Sequence, residues 1–257
     1  MDNTFSIIIP THNRPEKVVR AINSALTQTY GNLEVIVVDD GSWNSLKEKD
    51  TFTEIKKLQR PHVPLTYVRQ VRQQRLIARN AGMRLARYEW IVWMDDDDEL
   101  RPSYLEEFNK IINKYPEFHV FGCDVQFYKI IDGKEKYLRT MKCPFLGPRG
   151  GPANLEKPFA TFPHFRSGCI TTGQFIFRKE DLSVVGYLPH THLYGDFAIA
   201  SGIPGYGWVD PQPPRFPKKR VQVMGNPWGE DFYMFYKLTR HFNVVPIEIY
   251  LYKKNCR

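Results

Sequence analysis

Five consecutive acidic residues, Asp95-Asp-Asp-Asp-Glu99, stand directly behind the apolar run Trp90-Ile-Val-Trp-Met94. Most acidic runs are solvated turns. The placement of this one argues against that reading, because a buried strand ending here would hold several carboxylates close together. Each like-charge pair costs about 1 kcal/mol at ~4 Å even in water, and more where water is excluded. A divalent cation relieves that repulsion. Carboxylates without soft ligands nearby favour Mg²⁺ or Mn²⁺, ions that also bridge diphosphate oxygens.

A second acidic strand end accompanies the first. Asp39-Asp40-Gly41-Ser42 follows the β-branched run Leu33–Val38. Asp-Gly-Ser is good turn chemistry, and the same carboxylates could accept hydrogen bonds from a base or ribose. Arg75 and Arg79 lie one helical turn apart, and guanidinium groups suit phosphate oxygens. Gly229-Glu230-Asp231 falls at an expected helix start, where acids also serve the dipole. Trp228, just before it, could stack on an acceptor or sit in a core. His190-Thr-His192 offers two imidazoles, but at a spacing that is weak for a metal site.

The elements that must position these groups alternate strand and helix. Strands are expected at Phe5–Ile9, Leu33–Val38, Leu65–Val68 and Trp90–Met94, with helices at Pro15–Gln28, Ser45–Leu58 and Gln74–Ala86 between them. The first helix places Val18, Ile22, Ala25 and Leu26 on one face. That order predicts an α/β fold with a mostly parallel central sheet and helices on both faces. Ligands then bind beyond the carboxyl ends of the strands, where Thr11–Arg14, Asp39–Ser42 and Asp95–Glu99 all emerge. Ser103-Tyr-Leu-Glu106 reads as a capping box for a helix reaching Lys114. Val120–Ile130 and Lys136–Arg139 flank Asp132-Gly133, a hairpin signal. Phe175–Arg178 reads as a strand, Glu230–Arg240 as a helix and Val244–Tyr252 as the last strand. The stretches 144–168 and 186–229, rich in Gly and Pro, read as long loops that shape the acceptor side.

Composition bounds the rest. A chain of 257 residues, 42% hydrophobic and 25% charged, suits one globular domain. The net charge of +8 would draw in nucleotides, phosphorylated acceptors or an anionic membrane. Its densest clusters, Lys218-Lys-Arg220 and Lys253-Lys254, are not interleaved with any nucleic-acid motif and read as solvated surface. Four scattered cysteines disfavour a zinc knuckle and suit a reducing compartment. No leader sequence or apolar run of bilayer-spanning length is visible, so the expected location is cytoplasmic, peripheral to the membrane if the acceptor is lipid-linked. The absence of Gly-x-Gly-x-x-Gly after the first strand disfavours a nicotinamide dehydrogenase. The turn Thr11-His-Asn-Arg-Pro15 lacks the glycines of a sugar-1-phosphate nucleotidyltransferase, one rival reading. A nucleotide-sugar-binding protein without turnover is the other.

Taken in order, Phe5-Ser-Ile-Ile-Ile-Pro-Thr-His-Asn-Arg14, Ile36-Val-Val-Asp-Asp-Gly-Ser42, Ala78-Arg-Asn-Ala-Gly82, Trp93-Met-Asp-Asp-Asp-Asp98 and Gly229-Glu-Asp231 resemble the family-2 glycosyltransferases of the GT-A fold. Each motif alone is weak; the ordered set is specific. The resemblance implies an inverting, single-addition enzyme that moves a sugar from a nucleoside-diphosphate donor, uridine-linked, to a hydroxyl. It implies one domain, with residues 1–115 holding the nucleotide sugar and 116–257 the acceptor. The implied nucleotide contacts are Thr11, Asp39, Asp40, Arg79 and Asp96. Asp95 and Asp97 match the outer acids of the Asp-x-Asp motif and would hold Mn²⁺ or Mg²⁺, with Asp98 as support and Glu99 at the surface. Asp231 matches the catalytic base, with Trp228 and Glu230 beside the acceptor. Processive relatives carry Gln-x-x-Arg-Trp after the catalytic acid; here Gln212-Pro-Pro-Arg215-Phe216 precedes Asp231 and ends in Phe. Arg75 departs from the small residue common before Ala-Arg-Asn.

Overall fold

The computed structural model describes residues 2–42, 50–58, 62–132, 134–141, 143, 172–188, 234, 238, 242 and 244–256. Strands β1 (Phe5–Thr11), β2 (Leu33–Asp40), β3 (Leu65–Gln70) and β4 (Trp90–Trp93) form a parallel block in the order β3-β2-β1-β4. Alternation along these strands sends successive side chains to opposite faces. Ile7, Ile9, Val35 and Val37 meet helices α1 (Pro15–Leu26) and α4 (Tyr104–Lys114) through Val18, Ile22, Leu105 and Phe108. Ile8, Ile36, Val38 and Trp93 meet Ala78 and Met83 of α3 (Arg75–Leu85) on the other face. The strands read as continuous apolar runs because both faces are covered.

Uniformly parallel pairing is confined to this half. Beyond β4 the sheet continues with β8 (Phe175–Arg178) and β6 (Val120–Ile131), each antiparallel to the strand before it. β9 (Val244–Cys256) then runs parallel to β6, and the two-residue β5 (Glu99–Leu100) closes the edge antiparallel to β9. β7 (Lys134–Met141) pairs with β6 as the outer arm of a hairpin. At its turn Asp132 has φ 50°, the left-handed value that a two-residue hairpin loop requires.

Three expectations change. Helix α2 (Thr51–Lys56) starts later than Ser45, because the Asp50 carboxylate caps it by accepting from the Thr53 amide at 3.3 Å. Ser103 stands at the N-cap of α4 without a side-chain cap bond, and Glu106 instead accepts from Thr29 Oγ1 at 2.8 Å. The capping-box pattern is present, but the nearby Thr29 hydroxyl takes its carboxylate. The last strand runs four residues past Tyr252, to Cys256, because pairing with β5 and β6 sustains it. The stretches 144–168 and 189–229 lie outside the described residues, while Met234 and Leu238, from the expected helix 230–240, are helical and buried.

Candidate active site

Parallel alignment brings the carboxyl ends of β1, β2 and β4 to one edge, where a cavity of about 750 Å³ opens. Thr11 and Asp40 line it from the strand ends, and Asp95, Asp96 and Asp97 line it from the acidic run. Arg14, Arg72, Arg75 and Lys254 supply positive charge around the same space. Asp39, Arg79 and Asp98 do not line it. That division among the expected site residues follows from their hydrogen bonds.

Asp39 is turned inward and its carboxylate is spoken for. It accepts from the Ser42 amide at 2.8 Å and the Tyr67 hydroxyl at 2.6 Å, so it shapes the turn that presents its neighbour. Burial first, and then the bond to Asp39, pushes the Tyr67 phenol well above its ordinary range. Asp40 Oδ1 accepts from Gln70 Nε2 at 2.8 Å and the Gln73 amide at 2.7 Å. Its Oδ2 has no hydrogen-bond partner among the described residues and belongs to a side chain on the cavity wall.

The acidic run is interlocked with cations. Arg14 Nη1 lies 2.8 Å from Asp96 and 3.4 Å from Asp97, and Lys17 reaches Asp97 at 3.4 Å. Thr11 Oγ1 donates to Asp96 at 2.8 Å. Burial raises the Asp96 carboxyl above its ordinary range against the pull of Arg14. Asp95 is held by Arg79 at 2.7 Å and Lys254 at 3.1 Å, with Arg75 at 3.9 Å. Burial opposes ionisation of Asp95, but Lys254, Arg79 and Arg75 outweigh it and hold the carboxyl below the usual range.

Asp98 sits beneath, with no exposed surface. It accepts from Tyr252 Oη at 2.8 Å, Lys254 Nζ at 2.9 Å and the Asn255 amide at 2.9 Å. Burial, aided by the nearby Asp95 charge, raises its carboxyl to about 7 despite Lys254. Glu99 is not a bare surface acid: it starts β5 and pairs with Arg20 at 3.1 Å and Lys253 at 3.5 Å.

Arg75 and Arg79 of α3 divide the work. Arg79 is wholly buried beneath Asp95, donates to Thr172 Oγ1 at 2.9 Å and stacks over Trp93 at 4.9 Å. Arg75, one turn earlier and half exposed, is the one that lines the cavity. Lys254 corrects a second expectation, because this member of the terminal Lys-Lys pair is a cavity residue and not solvated surface. Lys254 and Asn255 carry no clear site signal in the sequence, and Arg14 is marked there only as the end of the Thr11–Arg14 loop. The only available signal, a Lys-Lys-Asn stretch after an apolar strand, is too common to carry that meaning. Asp231, Trp228, Glu230, His190 and His192 lie outside the described residues.

One oxygen from each of Asp95, Asp97 and Asp98 lies within 4.8 Å of the others. An all-carboxylate set suits a hard divalent cation. Asp95 and Asp97 face the cavity and would hold the ion, with Asp98 behind them, so the residues present fit Mg²⁺ or Mn²⁺.

A largely parallel block of strands with a charged cavity at its carboxyl edge defines an open α/β class in which ligands bind beyond the strand ends. Within that class, residues 6–182 match the family described as Glycosyl transferase family 2, and the chain belongs to that family. It is 39% identical over 107 residues to the putative colanic acid biosynthesis glycosyl transferase WcaA of Escherichia coli K12, covering 40% of this chain and 36% of that protein. It is 33% identical over 132 residues to an uncharacterized glycosyltransferase of Nostoc, covering 51% of this chain and 38% of that one. The chain spans at most about two-fifths of the length of the curated relatives it matches. Among solved structures, Staphylococcus aureus TarS 1–349 in complex with UDP-GlcNAc superposes with a TM-score of 0.64 at 18% identity, covering 99% of this chain and 59% of that one. That likeness establishes the GT-A fold.

Proposed function

We propose that the chain transfers one sugar from a nucleoside-diphosphate donor to an acceptor hydroxyl, with inversion and with a divalent cation. The observation that carries this reading is the cavity at the strand ends, which pairs a nucleoside-facing carboxylate, Asp40, with an acid run and basic side chains suited to a diphosphate. Membership of the glycosyltransferase family and the UDP-GlcNAc bound by TarS support a uridine-linked donor.

In this reading Asp40 Oδ2 accepts from the base or ribose and Thr11 borders the nucleoside. Asp39 and Asp96 serve by holding the turn and Arg14. Arg75 takes a diphosphate oxygen, while Arg79 fixes the orientation of Asp95 from below. Asp95 and Asp97 would hold Mn²⁺ or Mg²⁺, which, when bound, stabilises charge on the departing nucleoside diphosphate. Asp231 takes the acceptor proton as the hydroxyl attacks the anomeric carbon, with Trp228 and Glu230 beside the acceptor. Residues 1–115 supply most of the donor contacts, joined by Lys254 and Asn255 of the last strand, and the rest of 116–257 serves the acceptor.

The test is release of nucleoside diphosphate from a panel of donors with and without Mn²⁺, comparing wild type with Asp97→Asn and Asp231→Asn. The reading expects Mn²⁺-dependent release that both variants abolish. A donor bound without turnover points to a binding protein, and pyrophosphate release from a nucleoside triphosphate points to a nucleotidyltransferase.

A further inference from the structure

The β6–β7 hairpin outruns the sheet that carries it. The pairing of β6 with β9 ends at Lys129, so Ile130 and Ile131 pair only with Glu135 and Lys134 across the hairpin. Both isoleucines are open to solvent, at 51% and 41% exposure. Lys129, Lys134 and Lys136 flank the tip on the Ile131 side and are exposed as well.

Paired residues on neighbouring strands share a face. Lys129 opposes Lys136 and Lys134 opposes Ile131, so three lysines and one isoleucine occupy the same side of the tip. Arg139 extends the row, opposite Phe127 with its guanidinium 4.7 Å from that ring. Among the described residues no carboxylate pairs with any of the three lysines. The hairpin's own acids are elsewhere: Asp132 is in the turn, and Glu135 opposes Ile130 on the other face and binds Lys253. Like charges directly opposite each other destabilise a strand pair, and the two half-exposed isoleucines leave much of their apolar surface in water. Local stability therefore explains neither feature.

An apolar tip with three lysines along one side is complementary to an anionic lipid surface, where isoleucine enters the headgroup boundary and ammonium groups meet phosphates. We propose that this hairpin docks the protein on an anionic membrane. A soluble polyanion would use the lysines and leave the isoleucines idle, so the bilayer is the occupant that accounts for both. Docking by the tip also sets the height of the cavity. Phe127, which neighbours the cavity residue Lys254, lies four residues from Ile131, about 13 Å at the ~3.3 Å rise of a strand. A hydroxyl carried on a lipid headgroup would then be presented at the level of the site. The proposal concerns the surface alone and holds whichever donor the cavity takes.

Flotation of the purified chain with phosphatidylcholine vesicles, with and without phosphatidylglycerol, tests it. Wild type is expected to float with the anionic vesicles and to be released by salt. The triple substitution Lys129→Glu, Lys134→Glu, Lys136→Glu should weaken binding by more than ~100-fold, since each lysine near an anionic leaflet contributes roughly fivefold. The pair Ile130→Ser, Ile131→Ser should also weaken it while leaving the charge unchanged. Circular dichroism verifies folding, and the corresponding Lys→Gln triple serves if the reversal does not fold. Failure of wild type to float, or undiminished flotation of the folded lysine variants, overturns the proposal. Competition by soluble polyphosphate with no effect of the isoleucine pair also overturns it, in favour of a polyanion site.

Discussion

Lys254 Nζ lies 3.1 Å from Asp95 and 2.9 Å from Asp98, so one ammonium on the last strand joins two carboxylates of a run more than 150 residues upstream. The ion pair depends on β5, which carries the end of the acidic run onto β9. Asp95 stays ionised because of this cation and two arginines. Without Lys254, two nearly buried carboxylates would face each other less compensated.

Lys254→Met is therefore expected to destabilise the chain by about 2–4 kcal/mol in urea unfolding, below the full cost of breaking a wholly buried pair because Lys254 keeps some contact with solvent. Saturating Mn²⁺ should return part of that loss, since a cation held by Asp95 and Asp97 restores positive charge at the same place. An equal deficit with and without Mn²⁺ would separate the lysine from the metal site.

Arg75 and Arg79 of α3 should part company in kinetics and stability. Arg75→Ala touches a half-exposed side chain 3.9 Å from Asp95. It should leave the urea midpoint nearly unchanged and raise the donor KM by roughly tenfold or more, the loss of a charge-assisted bond. Arg79→Met removes a wholly buried cation that bonds Asp95 and Thr172. It should cost about 3–5 kcal/mol of stability and lower kcat as Asp95 loses its support. Matching effects at the two positions would refute the division.

Much of this arrangement is legible in the residues themselves. The apolar runs of β1, β2 and β4 each end in a polar cluster, and a βαβ order sends such ends to one edge. Local pattern cannot say which carboxylate faces the cavity. Asp39 and Asp40 differ only by the pleat, and Asp39 turns inward because Tyr67 and the Ser42 amide await it. Arg75 and Arg79 share a helix, yet only Arg79 meets the Trp93 face and Thr172. Lys254 is beyond sequence reasoning for a stronger reason. Its meaning comes from a pairing between a two-residue strand and one that begins more than 140 residues later. The Ser103–Glu106 pattern shows the converse, a local motif overridden by the nearby Thr29 hydroxyl.

Asp98 should make stability fall as the pH rises from about 4 to about 7. Its carboxyl is raised from an ordinary 3.8 to about 7, so between those values the folded chain keeps a proton that the unfolded chain has released. Each pH unit in that window then lowers its contribution by up to about 1.4 kcal/mol. Asp95 acts in the opposite direction and at lower pH: held below its ordinary range, it contributes above about pH 4 and loses that contribution as the pH falls further. Urea unfolding of wild type and Asp98→Asn from about pH 4 to 7 isolates the first effect. The stability difference between them should decline steadily across the window, and a flat difference would mean that Asp98 is ionised throughout.

Gly173 links the backbone to this same cluster. Its φ of +76° is in the left-handed region, and an added Cβ would lie 1.7 Å from Cε2 of Tyr252. The missing side chain lets the Tyr252 ring lie against the turn, from where its hydroxyl donates to Asp98 at 2.8 Å. The Gly173 carbonyl also accepts from the buried Tyr104 hydroxyl at 2.9 Å, tying α4 to the turn. Gly173→Ala would combine a backbone penalty of roughly 1 kcal/mol or more with overpacking of about 1–3 kcal/mol. It should push Tyr252 off Asp98 and weaken Mn²⁺ binding at a distance from the cavity. Leu33→Ala is the matched control: it removes a buried core side chain at the amino end of β2, the opposite end of the parallel strands from the carboxylates. Both variants should lower the urea midpoint, but only Gly173→Ala should also reduce Mn²⁺ affinity measured by calorimetry on the folded protein. Equal loss of affinity in the two would show that Tyr252 does not support the acidic run.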